Sequence, residues 1–196
     1  VPVSPAAPTP MAAAVEIGLI EPTTDKRLTA ISAGGEPLDI VVGRGVPILS
    51  AVPLRPDSAV RYVLDRSIGL RDCHWAWEPA DTLAITITWQ SLATVTFDAT
   101  TFVHVRQADG EIIAQADRQP LNGRFPTTYW LPGQVITDVV RLSPVSPPDQ
   151  RGGEKSPLTL LIGMYTWPSL ERLPVVDTEG VPQQDNVIRM PIFGSQ

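Results

Sequence analysis

Short apolar runs broken by Gly, Pro, Asp or Asn about every eight to twelve residues restrict this chain's fold more than any other feature. No apolar period of 3.6 persists from Val15 onward, so helices cannot supply the core. Alternation does persist. In TLAITITWQ (82–90), Leu83, Ile85, Ile87 and Trp89 fall on one side and Ala84, Thr86, Thr88 and Gln90 on the other, a strand with one buried face. TTFVHVR and EIIAQAD follow, joined across Asp109-Gly110, where glycine supplies the positive φ of a tight hairpin. Residues Thr82–Gln90 and Thr101–Asp117 are expected to form the core strand pair. QVITDVVRL (134–142), LTLLIGMYT (158–166) and NVIRMPI (186–192) read as further strands, and LTAISA, LDIVVG, VPILSAV, VRYVL and IGLRDCHWAW as less regular ones. The expected fold is all-β, a mainly antiparallel sandwich of immunoglobulin-like or jelly-roll-like type.

The 196 residues suffice for one substantial domain with its own core. Residues 1–14, with four prolines and no charge, read as a flexible linker. Residues 15–196 read as the sandwich, with 15–60 either a small subdomain or its first strands. The segment 143–157, SPVSPPDQRGGEKSP, reads as a long exposed loop. No apolar stretch approaches the roughly 20 residues needed to cross a bilayer, and the first residues lack the pattern of a signal peptide. The start at Val1 suggests a piece of a longer protein.

A formal charge of −6, with Lys and Arg scattered, argues against a nucleic-acid surface, which needs clustered cations against phosphate. One cysteine, Cys73, allows neither an internal disulfide nor a zinc site built on several thiolates. It neighbours His74, but adjacent strand residues point to opposite faces, so the two cannot form an activated thiolate. His104 shares a strand face with Phe102 and Arg106, lacks sequence-local metal ligands and reads as a structural histidine. Asp109 reads as a turn residue. Asp117 and Asp138 are formal candidates for a pair of glycosidase acids, yet scattered acids in an acidic chain default to solvated or turn-capping roles. Asp177 in DTEGVPQQD lacks the repeated ligands of a calcium loop. No serine-nucleophile motif or phosphate-cradling glycine loop occurs. Catalytic residues, metal and cofactor are therefore all expected to be absent.

Several elements recur in a fixed order: Trp89-Gln90 at a strand end, Phe102-Val103-His104, Asp109-Gly110, Ala114-Gln115-Ala116-Asp117, Pro126 to Gly133 (PTTYWLPG) and Gly163-Met164-Tyr165. In this order they resemble a β-sandwich domain that follows the membrane-embedded part of bacterial, Chloroflexi-type glycosyltransferases similar to the protein-mannosyltransferase class. The resemblance covers roughly residues 66–193. It implies an extracytoplasmic, non-catalytic appendage on the outer face of the cell membrane, attached to a membrane portion that carries the chemistry. The partners it implies are that membrane portion and a saccharide or glycosylated acceptor. Tyr129 and Trp130 in the proline-bounded PTTYWLPG, with Trp167 at a strand end, are the candidate stacking aromatics, and Asn122 and Arg124 the candidate hydroxyl partners. The plainer reading, that these aromatics pack as plugs, weighs more. The competing functions are a structural or protein-interaction sandwich without a small ligand and, further behind, an independent hydrolase.

Overall fold

A computed structural model describes residues 6, 9–38, 41–48, 60–146 and 158–192. The chain divides into two compact units, Val1–Ala51 and Val52–Gln196. In the first, β1 (Met11–Ile17) pairs antiparallel with β4 (Val41–Ile48), with a bulge at Ala13/Val15, and β2 (Ala30–Ile31) pairs with β3 (Pro37–Leu38). β1 begins at Met11, inside the stretch expected to be linker. Its run of small residues carries little apolar signal, and the ladder to β4 supplies the order that composition does not show. Most of the loop expected at 143–157 lies outside the described residues.

The second unit is an all-β sandwich. One sheet has the order β10-β7-β6-β5-β12, from β10 (Val135–Leu142), β7 (Thr82–Ser91), β6 (Ile68–Glu78), β5 (Tyr62–Leu64) and β12 (Val175–Asp177). The other has the order β13-β11-β8-β9, from β13 (Ile188–Ile192), β11 (Leu158–Thr166), β8 (Ala99–Arg106) and β9 (Ile112–Arg118). Every pairing is antiparallel. Thr82–Gln90 and Thr101–Asp117 are therefore not hydrogen-bonded to each other. They belong to opposite sheets, because the 92–98 connection crosses from one layer to the other and both strands bury their apolar faces between the layers.

The core is built from the alternation. Leu83, Ile85, Ile87 and Trp89 of β7 are fully buried, as are Val103 and Val105 of β8 and Leu160, Ile162 and Met164 of β11. β6 keeps to this pattern through a bulge between Leu70 and Asp72. Arg71 is the extra residue, so Leu70 pairs with Trp89 while Cys73, Trp75 and Trp77 pair with Ile87, Ile85 and Leu83. Strict alternation from Leu70 would have turned Asp72 and His74 inward.

The β8–β9 hairpin turns at Gln107–Glu111. Gln107 N–H donates to the Glu111 carbonyl at 2.8 Å, and Gly110 N–H to the Gln107 carbonyl at 3.1 Å. Gly110 alone takes positive φ, +97°. Asp109 braces the turn, its Oδ1 accepting the Glu111 N–H at 3.0 Å. This three-residue loop ends in glycine, with a bulge just beyond where Arg106 pairs with Ile112.

Candidate functional site

Strand ends Ser91, Ala99, Arg118, Val135 and Thr166 lie together at one end of the sandwich, as the pairings Thr166↔Ala99, Thr101↔Arg118 and Val135↔Gln90 require. The connections 92–98, 119–134 and 167–174 leave from this end, and with them every aromatic candidate from the sequence. Thr127 anchors the second connection. Its Oγ1 accepts the Ala99 N–H at 2.9 Å and donates to the Phe97 carbonyl at 2.6 Å, while Thr128 Oγ1 donates to Asp98 Oδ1 at 2.7 Å.

That anchoring decides the fate of Trp130. Only 2% of it is exposed, packed beside the buried Phe125, and its indole N–H donates to the Phe125 carbonyl at 3.1 Å. Trp130 is a plug and has no face to offer a sugar, so it leaves the candidate set. Tyr129 is half-buried, with its ring stacked on Phe125 at 6.5 Å between centroids. Asn122 and Arg124 are exposed, and Arg124 Nε donates back to the Leu121 carbonyl at 3.1 Å. Trp167 is the opposite of Trp130, with 72% of it exposed. Its turn is nonetheless fixed: Thr166 N–H donates to the Glu171 carbonyl at 3.0 Å, Leu170 N–H to the Thr166 carbonyl at 2.8 Å, and the Thr166 and Ser169 hydroxyls share a 2.7 Å hydrogen bond. Trp167 and the Asn122–Tyr129 segment share this end of the fold, but no ring contact joins Trp167 to Tyr129 among the described residues.

His104 lies on the outer face of the four-stranded sheet. Its Nε2 donates to Asp117 Oδ1 at 2.8 Å, an acid supplied by the opposite arm of the hairpin. Sequence-local reading missed this partner because the two are 13 residues apart and adjacent only once the hairpin forms. Around the pair is a small apolar cluster of Phe102, Leu161 and Val187, with Tyr165 stacked on Phe102 and the Arg172 guanidinium 5.0 Å above its ring. Gly163 makes room for it, since a Cβ there would fall 2.4 Å from Phe102 Cζ. Burial, then the charge of Asp117 and a hydrogen bond to it, hold the Tyr165 hydroxyl above its ordinary range, with a Thr100 hydrogen bond acting the other way.

Asp138 is neither solvated nor a turn cap. It occupies an inward position of β10 between Ile136 and Val140 and is 3% exposed. Arg118, at the end of β9 in the opposite sheet, donates through Nη2 to Asp138 Oδ1 at 3.0 Å and to the Val139 carbonyl at 2.8 Å. Asp117 and Asp138 are thus each held by a different basic partner. Asp177 is tied up by its own loop, its Oδ1 accepting the Glu179 and Val181 N–H groups at 2.9 Å. Cys73 is buried and His74 exposed. Burial, then the charge of Asp72, pushes the Cys73 thiol up to about 12, far from a reactive thiolate. Among the described residues no group of three or more His, Cys, Asp or Glu could hold a metal, and no helix is long and apolar enough to cross a membrane.

Compared with protein-family models and with curated proteins, the chain matches none.

Proposed function

We propose that this chain is a non-catalytic, extracytoplasmic accessory domain of a membrane glycosyltransferase, and that it holds saccharide of the acceptor or of a lipid-linked donor weakly at the loop end of its sandwich. The observation that carries this reading is Trp167, a large ring left 72% exposed on a turn fixed by backbone and hydroxyl hydrogen bonds. A flat exposed ring stacks on sugar C–H groups, while nearby polar groups take the hydroxyls. Asn122 and Arg124, exposed on the neighbouring connection, are polar groups of that kind. The order of motifs from Trp89 to Tyr165, which resembles the glycosyltransferase-associated sandwich, supports the class of ligand and the compartment. The pairing of His104 with Asp117, Arg118 with Asp138, and Asp177 with its own loop supports a binding rather than a hydrolytic role.

Titration with lipid-linked-sugar head groups and cell-wall glycans tests the reading. One member of the panel should bind with an affinity in the micromolar to millimolar range, about 4 to 8 kcal/mol. Trp167→Ala should weaken it at least tenfold without loss of fold. A panel without binding would leave the sandwich as a structural or protein-interaction domain.

A further inference from the structure

A recess opens on the side of the sandwich, away from the loop end. β5 covers only the start of β6, pairing Tyr62, Val63 and Leu64 with Leu70, Gly69 and Ile68. Beyond that point, among the described residues, β6 has only β7 beside it. The inward side chains Cys73 and Trp75 then look across to Met190 of β13 over an open cavity of about 490 Å³. Arg61 also lines it, as do Asp177 and Thr178 at its rim, where Asp177 pairs with Tyr62. The volume lies within the range of small-molecule sites.

The lining identifies the kind of occupant. Trp75 and Met190 give apolar walls, and the burial that keeps the Cys73 thiol protonated keeps the floor neutral. The rim mixes donors with acceptors. Among the described residues Arg61 contacts Asp72 at 3.4 Å, a long exposed pair that leaves most of its five N–H donors for other partners. Among the described residues Asp177 Oδ2 holds only a 3.5 Å bond to the Gln183 amide and can accept more, and the Thr178 hydroxyl can do either. Among the described lining residues Arg61 is the one cation and Asp177 the one carboxylate, so the mouth is balanced and offers an anion no net attraction. A cation at Asp177 Oδ2 would share the mouth with the Arg61 guanidinium, a like charge.

We propose that this recess binds an uncharged, polyhydroxylated ring, a neutral sugar unit, with its C–H face on Trp75 and its hydroxyls bridging Arg61, Asp177 and Thr178. A hydroxyl both donates and accepts, which is what a rim of guanidinium, carboxylate and hydroxyl calls for. The assignment rests on the lining of the recess and is separate from the loop-end reading.

The test uses the whole chain, 15N-labelled, titrated with methyl glycosides of glucose, galactose and mannose and with glucuronate as the charged counterpart. The Trp75 indole N–H resonance should move with a neutral glycoside at a dissociation constant of about 1 mM. Thr178→Phe, which narrows an exposed mouth without touching the core, and Arg61→Met should each weaken that shift tenfold or more. Trp167→Ala should leave it unchanged, so failure of the loop-end site is distinguishable from failure of this one. The proposal is overturned if no neutral glycoside moves the Trp75 resonance, if glucuronate is preferred, or if the folded Thr178→Phe protein binds as well as the parent.

Discussion

Along the β9–β10 side of the sandwich, Arg118 crosses from one sheet to bond Asp138 and the Val139 carbonyl in the other, and the side is closed. Along the β6–β13 side β5 has three residues, and among the described residues Trp75 faces Met190 across open space. Both sides present the same problem, the flank of two stacked sheets where inward side chains meet water. One is solved with a buried charge pair. Such a pair adds little net stability over apolar packing, but it becomes indispensable once present, because either partner alone is an uncompensated buried charge. The other side forgoes part of its apolar burial and leaves a half-buried indole at the edge of a cavity. The closed side is a seam whose disruption should destabilise the protein, and the open side a recess whose filling should not.

The largest effect is expected at the closed side. Arg118→Met leaves Asp138 buried without its cation and should destabilise the protein by about 3 kcal/mol in urea unfolding. The double variant Arg118→Met/Asp138→Leu should recover most of that loss. A single variant as stable as the parent would show that the seam is not held by this pair.

The open side has its own signature in alkali. The folded-state pKa of Cys73, about 12, lies above the ordinary thiol value of 9.0, so the folded protein retains a proton that the unfolded chain releases. The thiol's contribution is complete below about pH 9 and is lost as pH rises from there towards 12. Unfolding free energy should therefore fall across that window, and Cys73→Ala should flatten the slope. An unchanged slope in the variant would assign the alkaline loss to other groups.

Thr178→Phe and Trp167→Ala both alter exposed positions and should each shift stability by less than about 0.5 kcal/mol. A larger loss in thermal unfolding would show that the recess mouth or the loop-end turn contributes to the core after all.

Much of this fold is legible as alternation. The apolar run LTLLIGMYT is β11 from Leu158 to Thr166, and ITDVVRL lies wholly within β10. That second run also carried the sign of the seam, since Asp138 falls in phase with Ile136 and Val140. Reading it as a solvated acid gave composition priority over period. Trp130 and Trp167 show a limit of a different kind. Both lie in proline-containing connections, Trp130 two residues before Pro132 and Trp167 directly before Pro168, and only the docking of Thr127 onto Ala99 and Phe97 makes one a plug while the other stands in solvent. The recess left no local trace. It depends on the shortness of β5 and on the bulge at Arg71 that turns Trp75 inward, and both follow from pairing across the sheet.

Amide hydrogen exchange, read peptide by peptide with and without a neutral methyl glycoside, addresses the contrast between the two sides most directly. In the free protein, the β10 amides that bond to β7 should be protected to near the global unfolding limit, and those of residues 72–78 that bond to β7 should exchange faster. Saturating glycoside should slow exchange in 72–78 and around Thr178 and leave 136–142 unchanged. Equal protection on the two sides in the free protein, or a glycoside effect confined to β10, would contradict the account.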